Sequence, residues 1–274
     1  MGQAGLPRCQ YREAGENEPV TTEYAGAGDP KRTLELLWGL QERSKRGPKP
    51  RLTVEQIVRT AISVADTEGL AALSIRRVAE ELGVSPMSLY TYIPGKAELL
   101  DLMLDTVYAE TARPPHVPGQ WRASLTQIAL ENWALYQRHP WLLQVAISRP
   151  PMGPHVMGKY EYELRAIEGL GLTDIEMDAV LTLIINYVHG AVRTAIDAAQ
   201  AEQRTGMSDE QWWAAHAPLL EKIVDDSQYP VGSRVGKAVG EAFQAVVAPD
   251  FSFRFGLERI LDGIEVLIAS RQAK

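Results

Sequence analysis

Between Ser85 and Lys96 the chain sets hydroxyls, tyrosines and one lysine at spacings suited to gripping a polyanion rather than to covalent chemistry. Ser85 followed by Pro86 reads as an N-cap and a first helical residue, leaving the first amides of a short helix pointed outward where a phosphate can bind. On that helix Pro86, Met87, Ser88, Tyr90 and Thr91 form the outward face. Ser88 and Thr91 can hydrogen-bond bases or phosphates, while Pro86 and Met87 offer apolar contact to thymine methyls. The helix has no Arg or Lys, so Arg76 on the preceding element is the candidate for reaching guanine. Tyr90, Tyr92 and Lys96 are candidates for the phosphate backbone, where contacts position without specifying. Taken singly, each of these residues reads equally well as a solvated face or a core aromatic.

The elements that must hold this face are short helices with tight connections. Thr53 and Gln56 form a capping-box signature, and Val54, Ile57, Val58, Ala61, Ile62 and Ala65 give a helical stripe stopped by Gly69. Ser74 caps a second helix, Ile75 to Leu82, ended by Gly83. The third runs from Ser85-Pro86 to about Ile93, and a fourth from Lys96 toward Arg113 after the Pro94-Gly95 break. Gly83 suits the left-handed backbone that closes a helix. Ala79, four residues earlier, is small enough for two helices to cross closely, with Val78, Leu82, Val84, Leu89 and Tyr92 spaced to bury the crossing. Together these make a helix-turn-helix, whose second helix fits the major groove of B-DNA.

Beyond Pro114 the helices lengthen, with candidates at 119–138, 155–169, 174–200, 209–225, 233–247 and 254–271. Thr173 with Glu176 and Ser208 with Gln211 repeat the capping-box pattern. No β-branched run alternates in polarity, so no sheet is expected. The fold class is all-α: an N-terminal three-helix helix-turn-helix domain at 52–100 and a larger helical-bundle regulatory domain at 101–274. Residues 1–28 lack apolar periodicity and read as a disordered tail. Residues 29–51 add an amphipathic helix, opened by Asp29-Pro30 and striped by Leu34, Leu37 and Trp38, and then a basic arm from Arg43 to Arg51. The arm reads either as a minor-groove element, with Arg46, Lys49 and Arg51 reaching the DNA, or as a solvated linker.

Formal net charge is −7, which at first argues against a nucleic-acid partner. Its distribution argues the other way: residues 1–42 carry net −3, residues 43–100 net +3 and residues 101–274 net −7. The one positive region is the one that holds the motif. Cys9 is the only cysteine, so no internal disulfide or thiolate metal site is expected, and neither a metal nor a cofactor is implied. No secretory leader or uninterrupted apolar span stands out, which points to the cytoplasm and no membrane.

The stretch Leu82 to Leu100 resembles the DNA-binding domain of the TetR/AcrR family. It has the Gly-Val turn, the Leu89-Tyr90 pair, an aromatic two residues later at Tyr92, and a Lys at 96 ahead of Leu99-Leu100. The resemblance implies backbone contacts at Ser74, Tyr90, Tyr92 and Lys96, and base-facing positions at Arg76, Pro86, Met87 and Ser88; Ser85 caps the same helix. Trp121, Phe253 to Glu258 and Leu261 to Glu265 resemble the regulatory domain of the tetracycline-repressor subgroup. That implies a homodimer joined through a four-helix bundle of 174–200 and 254–271, with Val180, Leu183, Tyr187, Ala191, Ala195, Ile260, Ile264 and Leu267 at the interface. Ala112, Ile128 and Ala146 stand where a tetracycline sensor has polar and histidine ligands, which argues against a magnesium–tetracycline complex.

The function implied is a repressor that binds a palindromic double-stranded DNA operator as a dimer and is released by a small-molecule effector. Candidates for the effector pocket are Trp121, Ile128, Asn132, Trp133, Tyr136, His139, Trp141, Tyr187 and His189, each of which also reads as ordinary core. Two rival readings stand beside it. An acid–base enzyme built from Glu131, His139, His189 and Asp197 lacks a nucleophile motif, a phosphate loop or metal-ligand spacing. A ligand-independent DNA-binding or architectural protein would not need so large a second domain.

Overall fold

The computed structural model describes residues 23–40 and 52–273. Arg46, Lys49 and Arg51, and with them the basic arm, lie outside the described residues, as does Cys9. Among the described residues eleven helices dominate: α1 (Pro30–Leu37), α2 (Val54–Glu68), α3 (Ile75–Glu81), α4 (Pro86–Tyr90), α5 (Lys96–Tyr108), α6 (Trp121–Arg138), α7 (Pro154–Arg165), α8 (Asp174–Thr205), α9 (Asp209–Ile223), α10 (Pro230–Phe243) and α11 (Pro249–Gln272). The protein is all-α apart from one two-residue parallel pairing, β1 (Glu23–Tyr24) with β2 (Val145–Ala146).

The predicted boundaries hold best where the caps are strongest. Thr53, Thr173 and Ser208 each accept a hydrogen bond from the N3 amide while the N3 side chain reaches back, so all three capping boxes form. Two expectations change. Residues 23–28, predicted to belong to a disordered tail, are held in place: Ala25 is buried, and its amide donates to Ala146 O at 3.1 Å. The helix opened by Asp29 stops at Leu37, so Trp38, the last residue of its predicted stripe, is its C-cap.

The head is α2 to α4 with the start of α5. Ile57, Val58, Ala61, Val78, Ala79, Leu89 and Ile93 are almost wholly removed from solvent and form its core. In the larger domain α8 packs along both α6 and α11, burying Val180, Leu181, Ile184, Val188 and Val192 from one side and Phe253, Leu257, Leu261, Ile264 and Ile268 from the other. By length and composition α8 is apolar enough to cross a membrane, and this packing buries one stripe of it, leaving the rest of its surface exposed. One continuous apolar cluster runs through both domains, and α5 straddles their boundary.

Two helices stand apart. No residue of α9 is buried, and only Gly240 of α10 is. Gly240 is where α10 meets α9, for a side chain there would collide with the Trp213 indole.

Candidate nucleic-acid interface

The α3–α4 crossing takes the geometry its sequence predicts. Gly83 sits at φ 66°, and the amide of Val84 donates to Ala79 O at 3.0 Å, a six-residue closure that satisfies an orphaned helix carbonyl. Val78, Ala79 and Leu89 are fully buried, with Leu82, Val84 and Tyr92 half-buried at the rim. Everything expected outside is outside. Met87 is 75% exposed and Tyr90 50% exposed, and Ser85, Pro86, Ser88 and Thr91 are exposed with them. The face of α4 is presented to solvent rather than folded back onto the protein.

Several of its polar groups already have local work. Ser74 accepts from the Arg77 amide at 3.1 Å and Ser85 from the Ser88 amide at 3.3 Å, each capping its helix. Ser85 Oγ and Ser88 Oγ lie 2.9 Å apart, and Thr91 Oγ1 reaches Met87 O. Having accepted an amide, Ser74 keeps its O–H to donate to an incoming phosphate, and the Ser85–Ser88 pair keeps one of its two, whereas the Thr91 O–H is engaged by Met87 O.

Each Lys and Arg between residues 52 and 100 is ion-paired. Arg59 pairs with Glu55, Arg76 with Glu80, Arg77 with Glu68 and Glu81, and Lys96 with Glu23. The hydrogen bonds that Arg77 donates to Glu68 and Glu81 raise its guanidinium above its ordinary range, and the bond to Glu68 lowers that carboxyl. Arg76, with its side chain 83% exposed, is the one best placed to let go of a carboxylate for a base.

The head is joined to the larger domain through residues that sequence reasoning placed elsewhere or missed. His139 and Trp141, expected in an effector pocket, are buried at the domain junction: His139 Nδ1 and Trp141 Nε1 both approach Asp66 Oδ1 on α2. Along α5, Glu98, Asp101 and Asp105 are buried at i, i+3, i+7 spacing and accept backbone amides from other segments. Glu98 takes Asp29 N at 3.0 Å, Asp101 takes Gly26 N at 2.9 Å, and Asp105 takes His155 N and Val156 N at the start of α7. Burial raises both aspartates above the ordinary carboxylate range. A signal for them was present, since Glu98, Asp101 and Asp105 fall on one face of a helix that Leu99, Leu100, Leu102, Met103 and Leu104 make apolar elsewhere.

The remaining pocket candidates do not line one cavity. Ile128, Asn132, Trp133 and Tyr136 are buried in packed interior, where the Trp133 and Phe253 rings meet at 4.2 Å. Trp121 is half-buried, and His189 meets the Tyr136 ring edge-on at 5.6 Å. Tyr187 does border a cleft of ≈ 760 Å³ between α8, α10 and α11, together with Ala191, Phe243, Phe251 and Gly256. Its hydroxyl, however, is spent on Ser252 O and Phe253 O within the chain. Of the interface candidates, Val180 and Ile264 pack inside the subunit, Leu183 is exposed, and Ala191, Ala195, Ile260 and Leu267 are half-buried. Glu131 and His139, two of the residues weighed for an acid–base site, instead bind Ala112 N and the Asp66–Glu110 pair.

Residues 57–103 match the sequence profile of the bacterial regulatory proteins of the tetR family, and residues 114–268 that of the tetracyclin repressor-like C-terminal domain. The chain belongs to the TetR family. It is a DNA-binding transcriptional repressor of that family, and its curated relatives are transcriptional regulators rather than enzymes. It is 48% identical to the HTH-type transcriptional repressor DrrR1 of Streptomyces coeruleorubidus, over 95% of this chain and 94% of that one. The tetracycline repressor class E of Escherichia coli is 23% identical over 81% of this chain and 95% of its own. Among solved structures, ActR of Streptomyces coelicolor in complex with actinorhodin superimposes with a TM-score of 0.64 at 29% identity, covering 78% of this chain and 95% of ActR. Apo ActR gives the same TM-score at 27% identity, over 82% of this chain and 99% of ActR.

Proposed function

We propose that this TetR-family repressor binds a palindromic operator as a cytoplasmic homodimer and is released by a small-molecule effector. The observation that carries the reading is the solvent-facing end of α4, with Met87 and Tyr90 exposed above a fully buried Leu89. Two such helices related by a two-fold axis enter successive major grooves, so the half-sites should lie about one helical turn apart. Ser88, Thr91, Pro86, Met87 and Arg76 take the base edges, and Ser74, Ser85, Tyr90, Tyr92 and Lys96 the backbone.

The dimer reading is supported by apolar surface that one subunit leaves uncovered. Leu183, Phe251, Phe255 and Val266 on α8 and α11 are exposed, as are Trp212, Leu219 and Ile223 on α9. A second copy placing its own α8 and α11 against these helices makes the four-helix bundle. The cleft beside Tyr187 lies on the same side and would be covered by the same association.

An effector that reaches Asn132 must part the packed interior around it, since Trp133 and Tyr136 close that region. The Asn132 Nδ2 is satisfied by Ile128 O and Glu163, but its buried Oδ1 has no partner, and the buried Lys159–Glu163 pair lies beside it. A flat aromatic compound with a hydroxyl directed at that oxygen would suit the space opened if Trp133, Tyr136 and Tyr108 moved apart. That ActR is solved both with actinorhodin and without ligand supports effector binding in this fold.

The test is footprinting with the full chain on DNA flanking its own gene, followed by addition of actinorhodin and a panel of phenolic aromatics. A protected palindrome with half-sites one turn apart, cleared by one compound, is the expected result. Protection that no compound clears leaves the ligand-independent repressor. An unprotected region, with half-sites absent from the genome on selection from random DNA, overturns the operator reading.

A further inference from the structure

We infer that residues 23–40 form a strap that withholds Lys96 from the DNA backbone until a phosphate displaces Glu23. The inference rests on the operator reading above.

Of the four cations in residues 52–100, three are paired with carboxylates of the head itself. Lys96 is the exception. Its partner, at 2.7 Å, is Glu23, from a segment that lies outside the helix-turn-helix. Lys96 opens α5 beside the outward face of α4, where the helix N-terminus already favours an anion. Its side chain and that of Glu23 are each about one-third exposed (33% and 37%), so a phosphate can reach the pair and take the carboxylate's place.

Glu23 is not a loose side chain that met a lysine by chance. The strap is fastened at four points independent of the ion pair. Gly26 N donates to Asp101 and Asp29 N to Glu98, both on α5. Glu23–Tyr24 pairs with Val145–Ala146, and Trp38 Nε1 donates to Met152 O at 2.9 Å. Thr33 and Leu36 of the strap are themselves buried, and a side chain at Gly28 would run into the Glu98 carboxylate. Two of those points, Ala146 and Met152, belong to the larger domain. A shift there pulls on the segment that holds Lys96, so the strap adds a second tie, alongside α5 itself, between the larger domain and a phosphate contact.

The test measures operator affinity by fluorescence anisotropy with the full chain, on the fragment protected in footprinting. Glu23→Gln should tighten binding about two- to fivefold, the range an exposed ion pair can supply. In a Lys96→Ala background the same substitution should change nothing. Glu35→Gln is the control, because Glu35 carries the same charge on the same strap but pairs with Lys31 and Arg32. No gain from Glu23→Gln, a gain that persists without Lys96, or an equal gain from Glu35→Gln would each overturn the strap. Circular dichroism and melting curves confirm that each variant is folded. A wild-type chain that binds no operator fails on the DNA reading itself, an outcome distinct from any of these.

Discussion

His139 Nδ1 lies 2.7 Å from Asp66 Oδ1, tying the end of α6 to the last turn of α2 across the two domains. Trp141 Nε1 donates to the same oxygen at 2.8 Å, and the other nitrogen of His139 faces Glu110 at 3.1 Å. Asp66→Ala would leave a buried indole N–H and one imidazole nitrogen without partners, at about 1–3 kcal/mol for each orphaned group. Urea denaturation should show that loss. Asp66→Asn keeps one acceptor oxygen and should lose less. If the alanine variant is as stable as the wild type, this junction is not a structural tie.

Asp101 offers a test of opposite sign. Burial raises its carboxyl above the ordinary range despite the Gly26 amide, and its Oδ2 is buried with no partner. A carboxyl raised in the folded state costs stability as pH climbs through its titration, so the ionised form at neutral pH is the unfavourable one. Asp101→Asn keeps an acceptor for Gly26 N without the charge. It should match or exceed the wild type in stability at pH 7 and lose that advantage near pH 4. Lower stability at pH 7 would contradict the charge assignment.

Glu176 behaves the other way. The Arg271 guanidinium and the Thr173 amide hold it at about 2, against an ordinary 4.5, joining the start of α8 to the end of α11. A depressed carboxyl stabilises the fold above its unfolded pKa, and that contribution fades as pH falls from about 4.5 toward about 2. Arg271→Met should flatten this acid limb in melting curves taken across that range. An unchanged limb would remove Glu176 from the explanation.

Phe255 is 55% exposed on α11, with its ring near Phe251 and under the Arg259 guanidinium. Phe255→Glu should leave the subunit folded, because nothing buried is disturbed. Sedimentation should shift toward the monomer and operator affinity should fall with it. A variant that remains dimeric would exclude this face.

Gly83 has open space around its Cα, so any penalty for a side chain there is purely conformational. Gly83→Ala at φ 66° should cost about 1–2 kcal/mol, read as a lowered melting temperature of the head. Equal stability would mean the turn relaxes to another geometry.

The head was legible because its signals are local. Ser74, Gly83, Ser85 and Pro86 each act on a neighbour within a few residues, and Leu89 is buried by the spacing that predicts it. The pocket candidates misled because an aromatic stripe fits a cavity wall and a packed core equally well, and Trp133 against Phe253 is the latter. The N-terminal strap was unreadable for a different reason. Its hold is made by backbone amides of Gly26 and Asp29 on carboxylates about seventy residues away, and an amide carries no sequence signature. The same holds for Asp66, whose partners lie 73 and 75 residues downstream.

The row of carboxylates along α5 gives the connecting helix an unusual mechanical character. A rod that rests on grease slides by any small amount, whereas one clasped at successive turns by short directional bonds stays put until a clasp opens. Glu98 and Asp101 clasp the strap and Asp105 clasps α7, so α5 cannot pivot without carrying both segments or dropping one. A pivot of α5 that leaves either segment behind would have to break a whole hydrogen bond, which favours a threshold over a graded tilt.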